Sequence, residues 1–193
     1  MSNKFEIKNE EIIFECDFLN VKNLRIVIDR FEGGRMEFDR FVVKKSDAVC
    51  ITLFDKNTEQ FLLIKQFCSA AAVNDSETDP WLIQSVAGHI DGNENPEESA
   101  IREIEEETDI VCDSVQFLCK GFTSPGIITE IQYHYLAQFD SSKVDLSSVY
   151  GLDDENIKVI LIKKDDVLPM IANMEIRNSN AIIGLTMSLL TMK

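Results

Sequence analysis

With 193 residues and 45% hydrophobic content, the chain can bury a sizeable core, as one large domain or as a domain with a small appendage, and is too apolar to be disordered. Its 19 Lys and Arg against 34 Asp and Glu give a formal charge of −15, which excludes a basic stripe able to displace counterions from a long nucleic acid. No apolar run is long enough to span a bilayer and the start, MSNKFEIKNEE, is not a secretion signal; five scattered cysteines without CxxC spacing then read as reduced thiols of a soluble cytoplasmic protein.

The first third of the chain reads as strands. IIFECDFLNV is one, and LRIVIDRF and RMEFDRFVV flank Glu32-Gly33-Gly34, a hairpin signal with glycines able to take positive φ. AVCITLFD, a turn at Lys56-Asn57 and FLLIKQF form a second, more buried hairpin. SAAAVNDSETDPW reads as a polar loop, and WLIQSVAG as a single strand. Further on, SVQFLCKGF, ITEIQYHYLAQF and IKVILIKK are strands. DDVLPMIANMEI and SNAIIGLTMSLL carry apolar residues at helical spacing, with Asp165 and Ser179 near their starts and Pro169 early enough for a first turn. The segments show no internal repeat.

Between these strands lies GHIDGNENPEESAIREIEEETDI, from Gly88 to Ile110. Asn95 suits an N-cap and Pro96 the first helical position, so a helix starts there. At roughly 100° per residue, Glu103 and Glu107 fall within about 40° of each other and Glu106 about 60° to the other side. Ala100, Ile101 and Ile104 occupy a neighbouring arc that can face a core. A Glu-rich helix is ordinarily a solvated face. Three carboxylates converging on one patch repel, however, unless a cation lies between them, and oxygen donors of this kind suit Mg²⁺ or Mn²⁺.

The spacing of Gly88, Glu94, Arg102-Glu103-Ile104, Glu106-Glu107 and Ile110 resembles the Nudix box, the signature of hydrolases acting on nucleoside diphosphates linked to another group. Asp109 stands where the family pattern has glycine, at the turn after the helix; aspartate tolerates left-handed backbone better than most residues. FLLIKQFCSAA, WLIQSVAGHID, GFTSPGIITEIQYHYLAQF, GLDDENIKV and NMEIRNSNAIIGL extend the likeness over nearly the whole chain. They resemble the ADP-ribose and nucleotide-sugar pyrophosphatase branch, nearest in pattern to GDP-mannose pyrophosphatases. Ser124-Pro125-Gly126, placed just beyond the box, is similar to the marker of that branch.

The resemblance implies an α/β fold: a Nudix α/β/α sandwich with a mixed sheet over residues 46–193, preceded by a small N-terminal β domain over 1–45 that serves dimerisation and the partner's substrate pocket. It implies a homodimer that splits the pyrophosphate bond of a GDP-mannose-like or ADP-ribose-like substrate with Mg²⁺ or Mn²⁺. The implied metal ligands are the Ala87 carbonyl, Glu103, Glu107 and Glu155, with Glu106 as a further ligand or orienting carboxylate. Arg102 would hold the box glutamates and Glu94 anchor the loop. The water-activating base would be Asp153 or Asp154, in an acidic stretch before the last strand. Phe18, Arg40, Gly88, Glu130 and Asn180 would contact substrate. An aromatic at Phe18 is equally at home in a core, and Asn180 stands where relatives use lysine. Cys68, Gln84 and Ile127 depart from the arginine, glutamate and glycine that relatives often carry; Cys68, Gln84 and Asp109 leave a non-catalytic nucleotide-sugar sensor as the alternative function. His89 and His134 are the only histidines; without HExxH or a Cys/His cluster, zinc is not expected and His134 reads as structural.

Overall fold

The computed structural model describes residues 4–74, 79–151 and 155–192. Two of the acidic residues singled out as bases, Asp153 and Asp154, lie outside them. The chain divides into two compact units, one of Met1–Asp47 with Gly121–Ile131 and the other of Ala48–Lys120 with Gln132–Lys193.

The first unit is an antiparallel sheet of β1 (Phe5–Cys16), β2 (Leu19–Asp29) and β3 (Arg35–Lys44). IIFECDFLNV is therefore not one strand. It is cut at Asp17-Phe18, where β1 turns back on β2 and Cys16 pairs with Leu19. Gly33 and Gly34 adopt φ of 92° and 83°, closing the β2–β3 turn with Gly33 N–H on the Arg30 carbonyl (3.1 Å). Register places Phe5, Ile28 and Met36 in one row and Ile7, Ile26 and Phe38 in the next. Strand alternation puts both rows on one face. Neighbouring positions carry ion pairs, with Arg25 bound by Asp39 (2.8 Å) and close to Glu37 (3.5 Å). The returning segment binds the end of β3: Val43 N–H donates to Ile127 O (2.7 Å) and Thr129 N–H to Val43 O (3.1 Å).

The second unit is built on a mixed sheet ordered β10 (Lys158–Lys163), β5 (Gln60–Phe67), β4 (Ala48–Asp55), β9 (Ile131–Gln138), β8 (Gln116–Phe122). Only the β4–β9 pair among the registered ones is parallel. β4 is buried along its whole length, which explains why AVCITLFD is apolar without alternation. WLIQSVAG splits at Ser85 into β6 (Trp81–Gln84), which pairs with β5, and β7 (Val86–His89), which pairs with β4. The side-chain pattern runs on through the break, so only the change of partner reveals it. The expected loop after β5 begins with a short helix, α1 (Ser69–Asn74), in keeping with its three alanines.

Helices cover both faces of this sheet. α2 (Pro96–Thr108) sets Ala100 and Ile104 against Val49, Ile51, Leu53 and Val86. α4 (Ser179–Thr191) sets Ala181 and Leu185 against Phe54, Phe61 and Leu136 on the opposite side. Adjacent residues of β4 thus feed two cores, the α/β/α arrangement expected. The segment DDVLPMIANMEI forms a 3₁₀ turn and then only α3 (Val167–Ala172). It ends where Met174 turns left-handed (φ 65°) and Glu175 N–H returns to Met170 O (2.9 Å). Asn178 rather than Ser179 caps α4, accepting from Ala181 N–H at 3.0 Å.

Candidate active site

The site is assembled where β7 passes through residues 90–95 into α2. Asn95 Oδ1 accepts the N–H groups of Glu97 and Glu98 (both 3.0 Å), and Glu98 returns a bond to Asn95 N–H (3.2 Å). This reciprocal cap fixes the first turn. At the other end Asp109 takes φ 56° and ψ 23°, and its N–H closes on Glu105 O (2.9 Å). Aspartate thus supplies the left-handed turn for which the family pattern uses glycine.

Arg102 organises the acidic residues. Its guanidinium donates to Glu94 (3.2 Å), Glu103 (2.8 Å), Glu106 (2.9 Å) and the His89 carbonyl (3.0 Å). Glu94 also accepts from Ser99 Oγ (2.7 Å), so the loop is tied to the helix on both sides of its turn. Burial opposes the Arg102 charge, but the surrounding carboxylates outweigh it and raise its pKa further. Glu94, hydrogen-bonded first by Arg102 and then by Ser99, is held below the usual carboxylate range.

Glu103 and Glu107 are buried, only 8% and 2% exposed. Ala87 N–H donates to Glu107 Oε2 at 3.1 Å. Burial, followed by repulsion from Glu103, Glu155 and Glu106, nevertheless pushes Glu107 up to about 9. Glu103 is raised as well, first by burial and then by Glu106 and Glu155, against the lowering effect of Arg102. Glu155 therefore joins the patch, close enough to act on both carboxylates. Gly88 makes the space: a Cβ there would come within 1.9 Å of the Glu103 carboxyl.

Buried, mutually repelling carboxylates beside a strand end have the chemistry of a site for a hard divalent cation. Among the described residues no three His, Cys, Asp or Glu side chains close on one point as a ready-made cage. Arg102 binds Glu103 and Glu106, whereas Glu107 is held by the Ala87 N–H. The residues fit an ion that keeps several waters rather than one wholly enclosed by protein.

Asn180, on α4, donates to Gln132 (3.4 Å). Phe18, Arg40 and Glu130 belong to the first unit. Phe18 is an exposed turn residue, Arg40 lies over the Phe38 ring (4.8 Å), and buried Glu130 pairs with Lys45 at 2.6 Å. Lys45 is a partner that the sequence reading missed, because an isolated lysine carries no spacing signal. The two departures Cys68 and Gln84 touch: Gln84 Nε2 donates to Cys68 Sγ (3.3 Å) and its Oε1 accepts from Asn178 (2.9 Å). Neutral side chains here form their own chain of hydrogen bonds.

A NUDIX domain model matches residues 44–181. Among curated proteins, a GDP-mannose pyrophosphatase of Klebsiella pneumoniae is 30% identical over 183 residues, covering 95% of this chain and 90% of that protein. An ADP-ribose pyrophosphatase of Haemophilus influenzae is 29% identical over 184 residues, covering 93% and 83%. A GDP-mannose pyrophosphatase of Yersinia enterocolitica is 32% identical over 183 residues, covering 95% and 94%.

Proposed function

The chain belongs to the NUDIX domain family and is a hydrolase of pyrophosphate bonds, and we propose that it cleaves a nucleoside diphosphate sugar, GDP-mannose-like or ADP-ribose-like, into a nucleoside monophosphate and a sugar phosphate. The observation that carries this reading is the buried Glu103–Glu107 pair, both raised in pKa and both repelled by Glu155, with the Glu103 carboxyl packed on Gly88. A module that only sensed a nucleotide sugar would have no need to keep a full set of metal-ligand carboxylates.

In this proposal Glu103, Glu107, Glu155 and the Ala87 carbonyl would hold Mg²⁺ or Mn²⁺. The ion supplies neutralisation of charge on the diphosphate oxygens and on the leaving phosphate. Arg102 keeps Glu103 and Glu106 oriented, so that Glu106 would serve as a further ligand or as an orienting carboxylate for the attacking water. Asp153 or Asp154 takes the proton as the water oxygen bonds phosphorus and the bridging oxygen departs with its electron pair. Gly88, whose missing side chain makes room for the Glu103 carboxyl, would contact the substrate through its backbone.

We assign residues 46–193 to catalysis and 1–45 to dimerisation, with Phe18, Arg40 and Glu130 as substrate contacts and Asn180 as a further one. The apolar rows on the first unit, with Phe5 72% and Ile7 49% exposed, support a second copy of the chain as the partner. The free cysteines among the described residues suit a cytoplasmic location, and no described helix is long and apolar enough to cross a membrane.

The test is to incubate the purified chain and Mg²⁺ with ADP-ribose, GDP-mannose, UDP-glucose and NADH, and to measure released monophosphate. Cleavage of a sugar nucleotide is expected. Tight binding of one compound with no cleavage of any would overturn the proposal in favour of a sensor.

A further inference from the structure

On the α4 side of the main sheet, away from α2, three buried polar atoms from three different elements face the same spot. Thr52 Oγ1 comes from β4, Ser85 Oγ from the break between β6 and β7, and His134 Nδ1 from β9. The three residues are 0%, 2% and 2% exposed. Thr52 Oγ1 and His134 Nδ1 have no hydrogen-bond partner among the described residues, and the Ser85 hydroxyl, beside the Cys50 thiol of β4, keeps bonding capacity to spare. Gly184 of α4 supplies the common reference point. A Cβ on it would stand 2.6 Å from Thr52 Oγ1, 3.7 Å from His134 Nδ1 and 3.9 Å from Ser85 Oγ.

We propose that Thr52, Ser85 and His134 bind one internal water molecule beside Gly184. Buried hydroxyl and imidazole groups retain a partner in nearly every folded protein, because losing water without replacing it is unfavourable. A single water makes about three hydrogen bonds to such groups, matching the three atoms here. The site selects water over an ion because its members are neutral. Two are hydroxyls, and burial pushes the His134 imidazole down to about 4, so it carries no charge at neutral pH. Either hydroxyl can donate or accept, and the imidazole nitrogen takes the complementary role set by its tautomer. Glycine at 184 keeps the helix backbone close without filling the position where the water's partners meet.

The molecule would tie β4 and β9 to the break between β6 and β7. β4 pairs with β9 through Thr52 and Leu136, and with β7 through Ile51 and Val86. Ser85 lies at the start of that second pairing, where the chain changes partner strands. The water therefore braces the break from behind, and β7 leaves it toward Ala87.

The test is a high-resolution crystal structure of the full chain, read together with oxygen-17 relaxation dispersion in solution, which counts long-lived internal waters. A single density peak within about 3.2 Å of at least two of the three atoms is expected, with one long-lived water lost in the Gly184→Ala variant. A direct Thr52 hydroxyl to His134 Nδ1 bond with no density between the side chains would overturn the proposal. So would an unchanged count of long-lived waters in a folded Gly184→Ala protein. The wild-type crystal structure decides the matter even if that variant fails to fold.

Discussion

Glu103 lays its carboxyl across Gly88 so closely that a Cβ at position 88 would come 1.9 Å from its Oε1 and 2.3 Å from its Oε2. The contact joins β7 to α2 with no side chain on the strand. The group in the way is the far end of a flexible side chain, so Gly88→Ala should displace the carboxylate and spare the fold. Turnover is expected to fall by on the order of 10²-fold, with the melting temperature shifted by only a few degrees. Steady-state kinetics beside thermal unfolding checks this, and unchanged turnover would remove Glu103 from the site.

Glu107→Gln tests the proposed cation directly. It replaces a buried carboxyl, whose pKa is pushed up to about 9 and which is therefore neutral in the metal-free protein, by a neutral amide of the same size, so without metal the variant should be about as stable as the wild type, while turnover drops by about 10²–10³-fold. Added Mg²⁺ should raise the melting temperature of the wild type and leave the variant's unchanged. A variant that still turns over or still gains stability from Mg²⁺ contradicts the ligand assignment.

Arg102→Lys keeps the charge and loses the fork. One ammonium cannot reach Glu94, Glu103, Glu106 and the His89 carbonyl together. A stability loss of about 1–3 kcal/mol and a lower kcat are expected, measured by urea titration and kinetics. Both values at wild-type level would mean that the guanidinium holds nothing the enzyme needs.

Acid stability has two separable parts. His134 is held down to about 4 by burial, from an ordinary 6.5. Its neutral form therefore supports the fold fully above 6.5, and that support is lost as pH falls toward 4, a change on the order of 3 kcal/mol. Cys50, its register partner on β4, stays neutral throughout, with its thiol pushed up to about 12 by burial. Asp55 acts lower. Ser141 Oγ–H (2.6 Å) and N–H (2.9 Å), with Asn57 N–H (2.8 Å), hold its carboxyl well below the usual range. Its contribution is complete above the ordinary aspartate value of about 3.9 and is lost progressively as pH falls from there through the lowered value of the folded state. Glu107, raised in the metal-free protein, has the opposite slope, so each part is read as a difference between wild type and variant. His134→Gln should flatten the stability curve between pH 4 and 6.5, and Asp55→Asn should flatten it only at more acid pH. Parallel curves for wild type and variant would refute the assignment.

Local chemistry made part of this structure readable in one dimension. The Asn95-Pro96 start of α2, the positive-φ glycines at 33 and 34, the buried strand AVCITLFD and the apolar stripe of Ala100 and Ile104 each depend on residues a few positions apart. The glutamates needed only the helical period to be placed together. Partnership across the sheet was not readable. The cut in WLIQSVAG at Ser85, the turn at Asp17-Phe18 and the early end of α3 at Met174 arise where backbone groups change distant partners, and the side-chain pattern continues through such points.

The sequence by itself determined the family, the acidic helix and its divalent-ion chemistry, because those follow from residue type and short spacing. Tertiary structure decided what surrounds them. It buried Glu103 and Glu107, brought Glu155 within reach, set Lys45 on Glu130 and left Cys68 bonded to Gln84. Burial and long-range pairing belong to the folded environment, and the same glutamate in water would carry none of the strain that makes this patch receptive to a cation.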